Sequence, residues 1–235
     1  MVLRVDHSGD QPTQGATMKR MPGAKGVAAL LLSLGAIGSL LAPSSAAAQQ
    51  KYVVKPVAQK KIEHLPAGPL YWRVENFATL DEAKTAVGPD GWNPATVRYE
   101  TTTSLIAEVA GKVWVVTLGP KGATTPGGKE VAEIGPVPTV TAPEYLLRLN
   151  YGSGPPEATT PVHSHPGSES FYVIDGRLGQ RTPQGIGYVE AGHVMNGHPG
   201  GTPMQVFNAG TTDLNTLIMF VVDASKPFSV PANFN

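Results

Sequence analysis

The second half of the chain restricts its fold more than any other feature. From residue 145 to residue 222, short apolar runs alternate with turns that contain glycine, proline or asparagine. The whole chain has 27 Gly and 22 Pro among 235 residues, and only 15% of its residues are charged. Short strands separated by such turns are typical of all-β sandwiches and barrels. The predicted strands cover residues 145–150, 162–165, 169–175, 177–182, 185–189, 192–195, 204–208 and 215–222.

Metal-ligand side chains are concentrated in one of these strands and in the turn after it. His163 and His165 are two residues apart, so they face the same side of a strand. Pro166-Gly167 predicts a turn, and Glu169 begins the next apolar run. Two histidines and one carboxylate can bind one divalent transition metal, which could be Fe, Mn, Ni, Cu or Zn. The alternative is a solvated pair of surface histidines.

These residues resemble the first of the two motifs that characterise the cupin superfamily. That motif reads His-x-His, three or four residues, Glu, six residues and Gly. His163, His165, Glu169 and Gly176 match it, whereas the glycine usual six residues before the first histidine is Glu157 here. The resemblance implies an all-β fold class, namely a cupin-type double-stranded β-helix (jelly-roll) barrel.

The second cupin motif reads Gly, a short gap and then Pro-x-Gly-x-x-His-x-x-x-Asn. Gly192, Pro199, Gly201 and Asn208 match its framework, but Met204 stands where the family has its third histidine. The resemblance covers the second half of the chain. It specifies a fold and a metal site, but it does not specify a reaction, because one fold hosts many chemistries.

Three interpretations of Met204 are open. Its soft thioether could be a weak fourth metal ligand, and on this basis we include Met204 in the predicted ligand set. It could instead pack above a three-ligand site and leave more coordination positions open. It could also fill an irregular apolar pocket that has lost its metal. His198 could replace the missing ligand, although a solvated turn histidine is the simpler interpretation for it, for His193 and for His64.

The resemblance leads us to expect a metal-dependent, oxygenase-like enzyme that acts on a small organic molecule. Glu169 would be a metal ligand or, when free of the metal, a catalytic general base. Phe171 and Val173 share its strand parity and would line the same cavity. The alternative is a non-catalytic cupin with a degenerate site that binds a metal or a small ligand. Residues 119–143, predicted to be one long loop, would then cover the site.

The first half of the chain carries no motif that assigns a function. Thr79, with Glu82 three residues later, predicts the start of a helix, and Gly88-Pro89 predicts its end. We therefore expect a smaller N-terminal α+β elaboration of one barrel; a degenerate first barrel is the alternative. The predicted segments are an export signal region (1–48), an N-terminal extension with strands and one short helix (49–142), the barrel core (143–224) and a C-terminal tail (225–235).

The N-terminal region has the layout of a cleavable export signal. Basic residues between Lys19 and Lys25 precede an uncharged apolar run, and the alanines before Gln49 fit a cleavage site. Met18 would be the start of a leader of ordinary layout. A membrane anchor is the alternative, but the apolar run is short for a span. We expect a periplasmic or secreted protein with no stable membrane anchor after cleavage.

Charge and cysteine content restrict the partners. Removing residues 1–48 takes four basic and two acidic residues from totals of 18 and 18, which leaves 14 basic and 16 acidic residues. No basic stripe is present, so we do not expect nucleic acid as a partner. The chain has no cysteine, which excludes a thiolate metal site. We expect a small-molecule ligand, which Arg148 or Arg177 could contact if it is anionic, and the resemblance implies a possible homodimer.

Overall fold

The computed structural model describes residues 50–88 and 103–234, and most of these residues lie in antiparallel β-sheets. This confirms the all-β prediction. The elements are β1 (Val53–Ile62), β2 (Tyr71–Phe77), α1 (Leu80–Val87), β3 (Ser104–Val109), β4 (Lys112–Gly119), β5 (Lys129–Ile134), β6 (Tyr145–Gly154), β7 (His163–Ser164), β8 (Gly167–Asp175), β9 (Arg177–Thr182), β10 (Gly185–Glu190), β11 (Val194–Met195), β12 (Gln205–Asn208), β13 (Leu214–Asp223) and β14 (Val230–Pro231).

The core of the barrel lies between two sheets. The larger sheet has the strand order β1-β6-β13-β8-β11, and the smaller has the order β10-β9-β12. Phe171 and Val173 of β8, Leu178 of β9, and Ile218 and Phe220 of β13 belong to one buried apolar cluster. Because β8 and β9 are consecutive but lie in different sheets, the chain passes from one sheet to the other, as in a jelly roll. The predicted cupin-type barrel is confirmed.

Strand β13 is the middle strand of the larger sheet, with β6 on one side and β8 on the other. Its two faces belong to different cores. Ile218 and Phe220 face the barrel interior, whereas Leu217, Met219 and Val221 pack in a second cluster on the opposite face. The strand is thus apolar on both faces and is covered on both.

The second cluster lies beneath a separate four-stranded sheet of order β3-β4-β2-β5. Trp72 and Trp114 of this sheet are fully buried, and the Trp114 ring lies 5.7 Å from the ring of Tyr172 in β8. Helix α1 buries Ala83 and Val87 against the other face of the same sheet. The described part of the N-terminal extension thus packs on the outside of the barrel.

Helix α1 begins and ends where its capping residues predict. Thr79 has an extended backbone, and its hydroxyl accepts a hydrogen bond from the Glu82 amide at 3.2 Å. At the other end, Gly88 has a φ of 86°, a conformation that glycine adopts without strain, and its amide donates to the Lys84 carbonyl.

The prediction of one long loop over residues 119–143 is wrong. The middle of this segment forms β5, which pairs with β2 at the edge of the four-stranded sheet. Lys129 and Glu130 are exposed, while Ile134 is buried. An edge strand needs only a few apolar side chains, and the glycine, proline and threonine residues around β5 hide its short pattern in the sequence.

Residues 50–62, which we call the N-terminal arm, pair with the barrel. Strand β1 is the edge strand of the larger sheet and pairs with β6. Tyr52, directly before β1, is 2% exposed, and its hydroxyl lies 2.5 Å from the Thr216 hydroxyl. Gly152 and Gly154 provide the space, since a Cβ on either would collide with a neighbour, which at Gly152 is the Tyr52 hydroxyl. These two glycines, which precede the first cupin histidine, therefore admit a tyrosine from the arm.

The C-terminal segment also joins the barrel. Strand β14 pairs with β7, which places Pro231 opposite His163 and Val230 opposite Ser164. Beyond this pair, the Ala232 amide donates to the Val162 carbonyl at 3.1 Å. We call residues 227–232 the C-terminal strap.

The predicted export signal region, including the start at Met18 and the cleavage after Ala48, lies outside the described residues and stays a prediction. The division of the chain into four segments also stays a prediction. Within residues 50–88 and 103–234, no helix is both long enough and apolar enough to cross a membrane.

We predict that Gly152→Ala lowers the free energy of unfolding by about 1–3 kcal/mol, because the new methyl group would collide with the Tyr52 hydroxyl. Gly119→Ala is the matched control, since its Cβ would meet no atom within 4 Å. The cost of Gly152→Ala should shrink in a Tyr52→Phe background, where the colliding hydroxyl is absent. Urea unfolding of the four variants measures this, and equal costs in both backgrounds would contradict the contact.

Candidate metal centre

The candidate ligands are gathered by two short strands and the turn between them. His163 and His165 flank Ser164 at β7, and Glu169 follows in β8. One ligand atom from each of the three side chains lies within 4.8 Å of the other two. The three predicted ligands from the first motif are therefore brought together, at a spacing that one metal ion could bridge.

The glycines of both motifs hold this turn close to its neighbours. The Gly201 amide donates to the His165 carbonyl at 2.8 Å. A Cβ on Gly200 would lie 2.9 Å from the Gly167 amide nitrogen. The two backbones can pack this closely because Gly200 lacks a side chain. The second motif thus supports the backbone that carries the ligands.

Both imidazoles are oriented by backbone carbonyls. His163 Nδ1 lies 2.9 Å from the Pro161 carbonyl oxygen, and His165 Nδ1 lies 2.6 Å from that of Phe228. A carbonyl oxygen only accepts, so each Nδ1 carries the proton and each Nε2 keeps a free lone pair. A second-shell carbonyl of this kind is the usual partner of a metal-binding histidine.

Glu169 is a buried carboxylate with an incomplete set of partners. Its side chain is 4% exposed, and Oε2 has no hydrogen-bond partner. Oε1 lies 3.9 Å from His165 Nε2, which is too far for a hydrogen bond. Burial raises the pKa of Glu169 to about 8. A cation between the carboxylate and the imidazoles would supply the interaction that Glu169 lacks.

His165 is held in its neutral form. Burial lowers the pKa of His165 to about 4, and the nearby His163 and Arg148 act in the same direction, whereas the hydrogen bond to Phe228 opposes the shift. The centroid of the imidazole lies 4.9 Å from that of the Phe220 ring, in an edge-on contact, and 4.8 Å from that of the Phe228 ring, which is tilted against it. A neutral imidazole is the form that binds a metal.

The three candidate ligands line a cavity of about 400 Å³, a size that suits a small organic molecule. Its walls are mainly apolar, and Asn150 and Tyr52 add polar atoms close to the barrel core. Lys51 is an exposed residue of the lining. The apolar lining residues are Val54, Pro161, Val162, Val206, Ile218, Phe220, Phe228, Val230 and Pro231.

The C-terminal strap forms part of this wall. It contributes Phe228, Ser229, Val230 and Pro231 to the cavity, and Val230 and His165 also line a second cavity of about 470 Å³. The Phe228 ring lies 4.0 Å from the guanidinium carbon of Arg148. The strap therefore covers the cavity of the three candidate ligands, whereas Thr139, Val140 and Thr141 of residues 119–143 line the second of these two cavities and not the first.

Met204 lies beside the site but is engaged elsewhere. Its backbone forms two hydrogen bonds with His163, of 2.9 and 2.8 Å, so both side chains leave the same face of this strand pair. Met204 is 1% exposed, and its sulfur accepts a hydrogen bond from Gln180 Nε2 at 3.4 Å. The side-chain oxygen of Gln180, Oε1, in turn accepts a hydrogen bond from His198 Nε2 at 3.0 Å. The role of Met204 as a ligand stays a prediction.

The other histidines and the two arginines have separate positions. His198 is half-buried and bound to Gln180, while His193 and His64 are exposed. Arg177 pairs with Glu190 at 2.9 Å on the smaller sheet. Arg148 is half-buried and stacks on the strap.

Three residues near the ligands were not found from the sequence. Tyr52 comes from the predicted N-terminal extension and Phe228 from the predicted C-terminal tail, and long-range strand pairing brings both to the barrel. Asn150 ends a predicted strand, and neither cupin motif includes it. The alternation of Arg148, Asn150 and Gly152 along β6 is the available signal, because it puts two polar residues on the barrel side of the strand, opposite the face of Leu147 and Leu149.

We predict that the strap supports metal binding through the carbonyl of residue 228. Deletion of residues 228–235 frees the His165 ring, and we expect metal affinity to fall about 10–100-fold. Phe228→Ala keeps the carbonyl and serves as the control, with a loss of less than about threefold. Competition with a chromophoric chelator measures both affinities. Equal losses in the two variants, with the fold intact by circular dichroism, would contradict this role.

The stability of the metal-free protein should depend on pH in a defined way. The pKa of Glu169 is about 8 in the folded state against an ordinary 4.5, so its burial costs stability as pH rises from about 4.5 to 8. His165, with a pKa of about 4 against 6.5, costs stability as pH falls from about 6.5 to 4.

Between pH 6.5 and 8 only the Glu169 effect remains, and we expect a loss on the order of 2 kcal/mol, since each pH unit contributes about 1.4 kcal/mol. Denaturant unfolding of chelator-treated protein measures it. Glu169→Gln should remove the loss, and an equal loss in both proteins would contradict the assignment.

Comparison with protein-family models and with curated protein sequences finds no match to this chain. Among solved structures, the chain is similar to an oxalate oxidase in complex with glycolate, at 24% identity over 36% of this chain and 45% of the other, with a TM-score of 0.31. It is also similar to a DMSP lyase from Ruegeria pomeroyi, at 17% identity over 38% and 44% of the two chains, with a TM-score of 0.33.

A third neighbour is a cupin-like protein from Thermotoga maritima, at 17% identity over 37% of this chain and 65% of the other, with a TM-score of 0.34. The chain spans under half the length of the oxidase and lyase structures that it matches. The assignment of the fold rests on the strand order of this chain and on its two sequence motifs. The described residues have the cupin fold, and within it His163, His165 and Glu169 form a group that could hold a metal ion.

Proposed function

We propose that this chain is an exported, metal-dependent enzyme of the cupin fold that acts on a small organic molecule, with oxygenase-like chemistry. One observation carries the proposal. Two imidazoles, each with its Nδ1 bound to a carbonyl, leave both Nε2 atoms free beside a buried carboxylate oxygen that has no partner. Uncharged side chains would fill a structural core without leaving such atoms unpaired.

In this proposal His163, His165 and Glu169 hold one divalent transition metal. The bound metal would supply Lewis acidity and open coordination positions for an organic ligand and O₂. The residues of the chain would supply the remaining functions. The apolar cavity walls exclude water from the bound molecule, and the strap keeps the His165 lone pair directed at the site. A Glu169 displaced from the metal would take a proton from the ligand.

A second candidate is a non-catalytic binding protein, and Met204 is the observation that favours it. A thioether stands where cupins have a third histidine, and its sulfur already accepts a hydrogen bond from Gln180. A site with three ligands holds a metal less tightly than one with four, and it can retain a binding role without turnover. The two candidates share the metal and the cavity but differ in turnover.

We predict that protein purified from its own compartment carries about one transition metal per chain, and that His163→Ala lowers metal affinity by more than about 100-fold. His193→Ala is the matched control, because His193 also places Nδ1 beside a carbonyl two residues earlier, that of Ala191, but is exposed. Elemental analysis and chelator competition measure both.

Absence of metal from the purified protein, together with no thermal shift on adding Mn, Fe, Ni, Cu or Zn, would contradict the proposed function. Turnover of metal-loaded protein against phenolic, sugar and keto-acid panels separates the two candidates. Turnover that His163→Ala abolishes supports the enzyme, and metal binding without any turnover supports the binding protein.

A further inference from the structure

Asn150 is a buried amide on the inner wall of the metal cavity. It lies on the barrel side of β6, between Pro56 of β1 and Ile218 of β13. It is 3% exposed and lines the same cavity as the candidate ligands. Its Oδ1 is buried and has no hydrogen-bond partner.

The side chains of the two cross-strand partners of Asn150 cannot satisfy this oxygen. Ile218 has no polar side-chain atom, and Pro56 has neither a polar side chain nor a backbone N–H. Tyr52, which lines the same cavity, bonds its hydroxyl to Thr216. A buried acceptor without a partner costs stability, and an apolar residue of similar size would avoid that cost.

Asn208 shows how this barrel treats a structural asparagine. It is also 3% exposed, but its Nδ2 donates to the carbonyls of Gly154 and Thr212 at 3.1 and 2.8 Å. Its Oδ1 accepts from the Gly210 amide at 2.8 Å. Two asparagines of equal burial therefore differ, because Asn208 is saturated by the backbone whereas Asn150 keeps its oxygen unpaired at the cavity.

We propose that Asn150 orients the ligand of this site by accepting a hydrogen bond from it. The ligand class that follows is a small molecule with an apolar body, an oxygen that binds the metal and a separate hydroxyl or amine that donates to Asn150. The apolar wall formed by Val206, Ile218 and Phe220 holds the body, and the amide selects its orientation. This inference rests on the proposed function for the metal-bound end of the ligand.

The binding experiment uses cobalt-loaded full chain and isothermal calorimetry with benzoate, the three hydroxybenzoates and the three methoxybenzoates. The carboxylate serves as the metal-binding end of each probe. We expect at least one hydroxybenzoate to bind about tenfold more tightly than benzoate and than its methoxy counterpart, which cannot donate. Asn150→Leu should bind that hydroxybenzoate, its methoxy counterpart and benzoate with affinities within about threefold of one another. No hydroxyl preference in the wild-type protein, or a preference that persists in Asn150→Leu, would overturn the inference.

A stability comparison tests the same inference without any ligand. If Asn150 serves a ligand, Asn150→Leu melts at or above the wild-type temperature, because it removes an unpaired buried acceptor. Asn208→Leu is the matched control and should melt several degrees lower, since it breaks three backbone contacts. A fall in Asn150→Leu as large as that in Asn208→Leu would assign Asn150 a structural role and overturn the inference.

The two proposals fail in different ways. If the wild-type protein binds neither cobalt nor any of Mn, Fe, Ni, Cu and Zn, the proposed function fails, and the melting comparison still decides whether Asn150 is structural. If cobalt binds but the hydroxyl preference is absent, only the role of Asn150 fails.

Discussion

The pairing of β13 with both β6 and β8 is the constraint on which the rest of the structure depends. This strand aligns the two neighbours whose inward side chains form the site, with Asn150 opposite Ile218 and Glu169 opposite Phe220. Because side chains alternate along a strand, a slip of one residue in either pairing would turn these polar groups to the other face of the sheet. The apolar residues on both faces of β13 oppose such a slip, since each face is buried in its own core.

A carboxylate in this position is costly unless something compensates its charge. Glu169 lies in the barrel core, with one oxygen unpaired, and burial raises the pKa of its carboxyl. The surrounding features lower the cost of placing a cation there. Two imidazoles place their Nε2 atoms beside the carboxylate, and their Nδ1 atoms are held by the carbonyls of Pro161 and Phe228. These features form a coherent set for a metal site and have no common purpose in a purely structural core.

The sequence predicted the part of the site that is local in the chain. His163, His165 and Glu169 lie within seven residues, and their approach follows from strand alternation and one turn. The capping box of α1 is similarly local, because Thr79 and Glu82 meet within one helical turn. The barrel itself followed from the spacing of short strands and from the two motifs. In each case, the interacting groups are close in sequence or follow a regular period.

The parts that were missed depend on distant segments. Tyr52 reaches Thr216 across 164 residues, and Phe228 reaches His165 across 63. No periodic pattern in the sequence predicts either contact, because each contact depends on a single inserted residue. Strand β5 was missed for a different reason, since its charged edge residues and its glycine- and proline-rich surroundings are typical of a loop.

Met204 removes a candidate ligand from one side of the site, because it stands where cupins have their third histidine. A histidine at this position would add a fourth ligand beside His163, with which Met204 shares two backbone hydrogen bonds. The thioether instead points its sulfur at Gln180, and neither residue lines the cavity. The candidate protein ligands therefore come from one short segment, and a metal held by them would share its cavity with the apolar wall and Asn150. Selectivity in such a site depends on the wall more than on the metal, because the same three ligands can hold several metals and only the wall distinguishes one organic ligand from another.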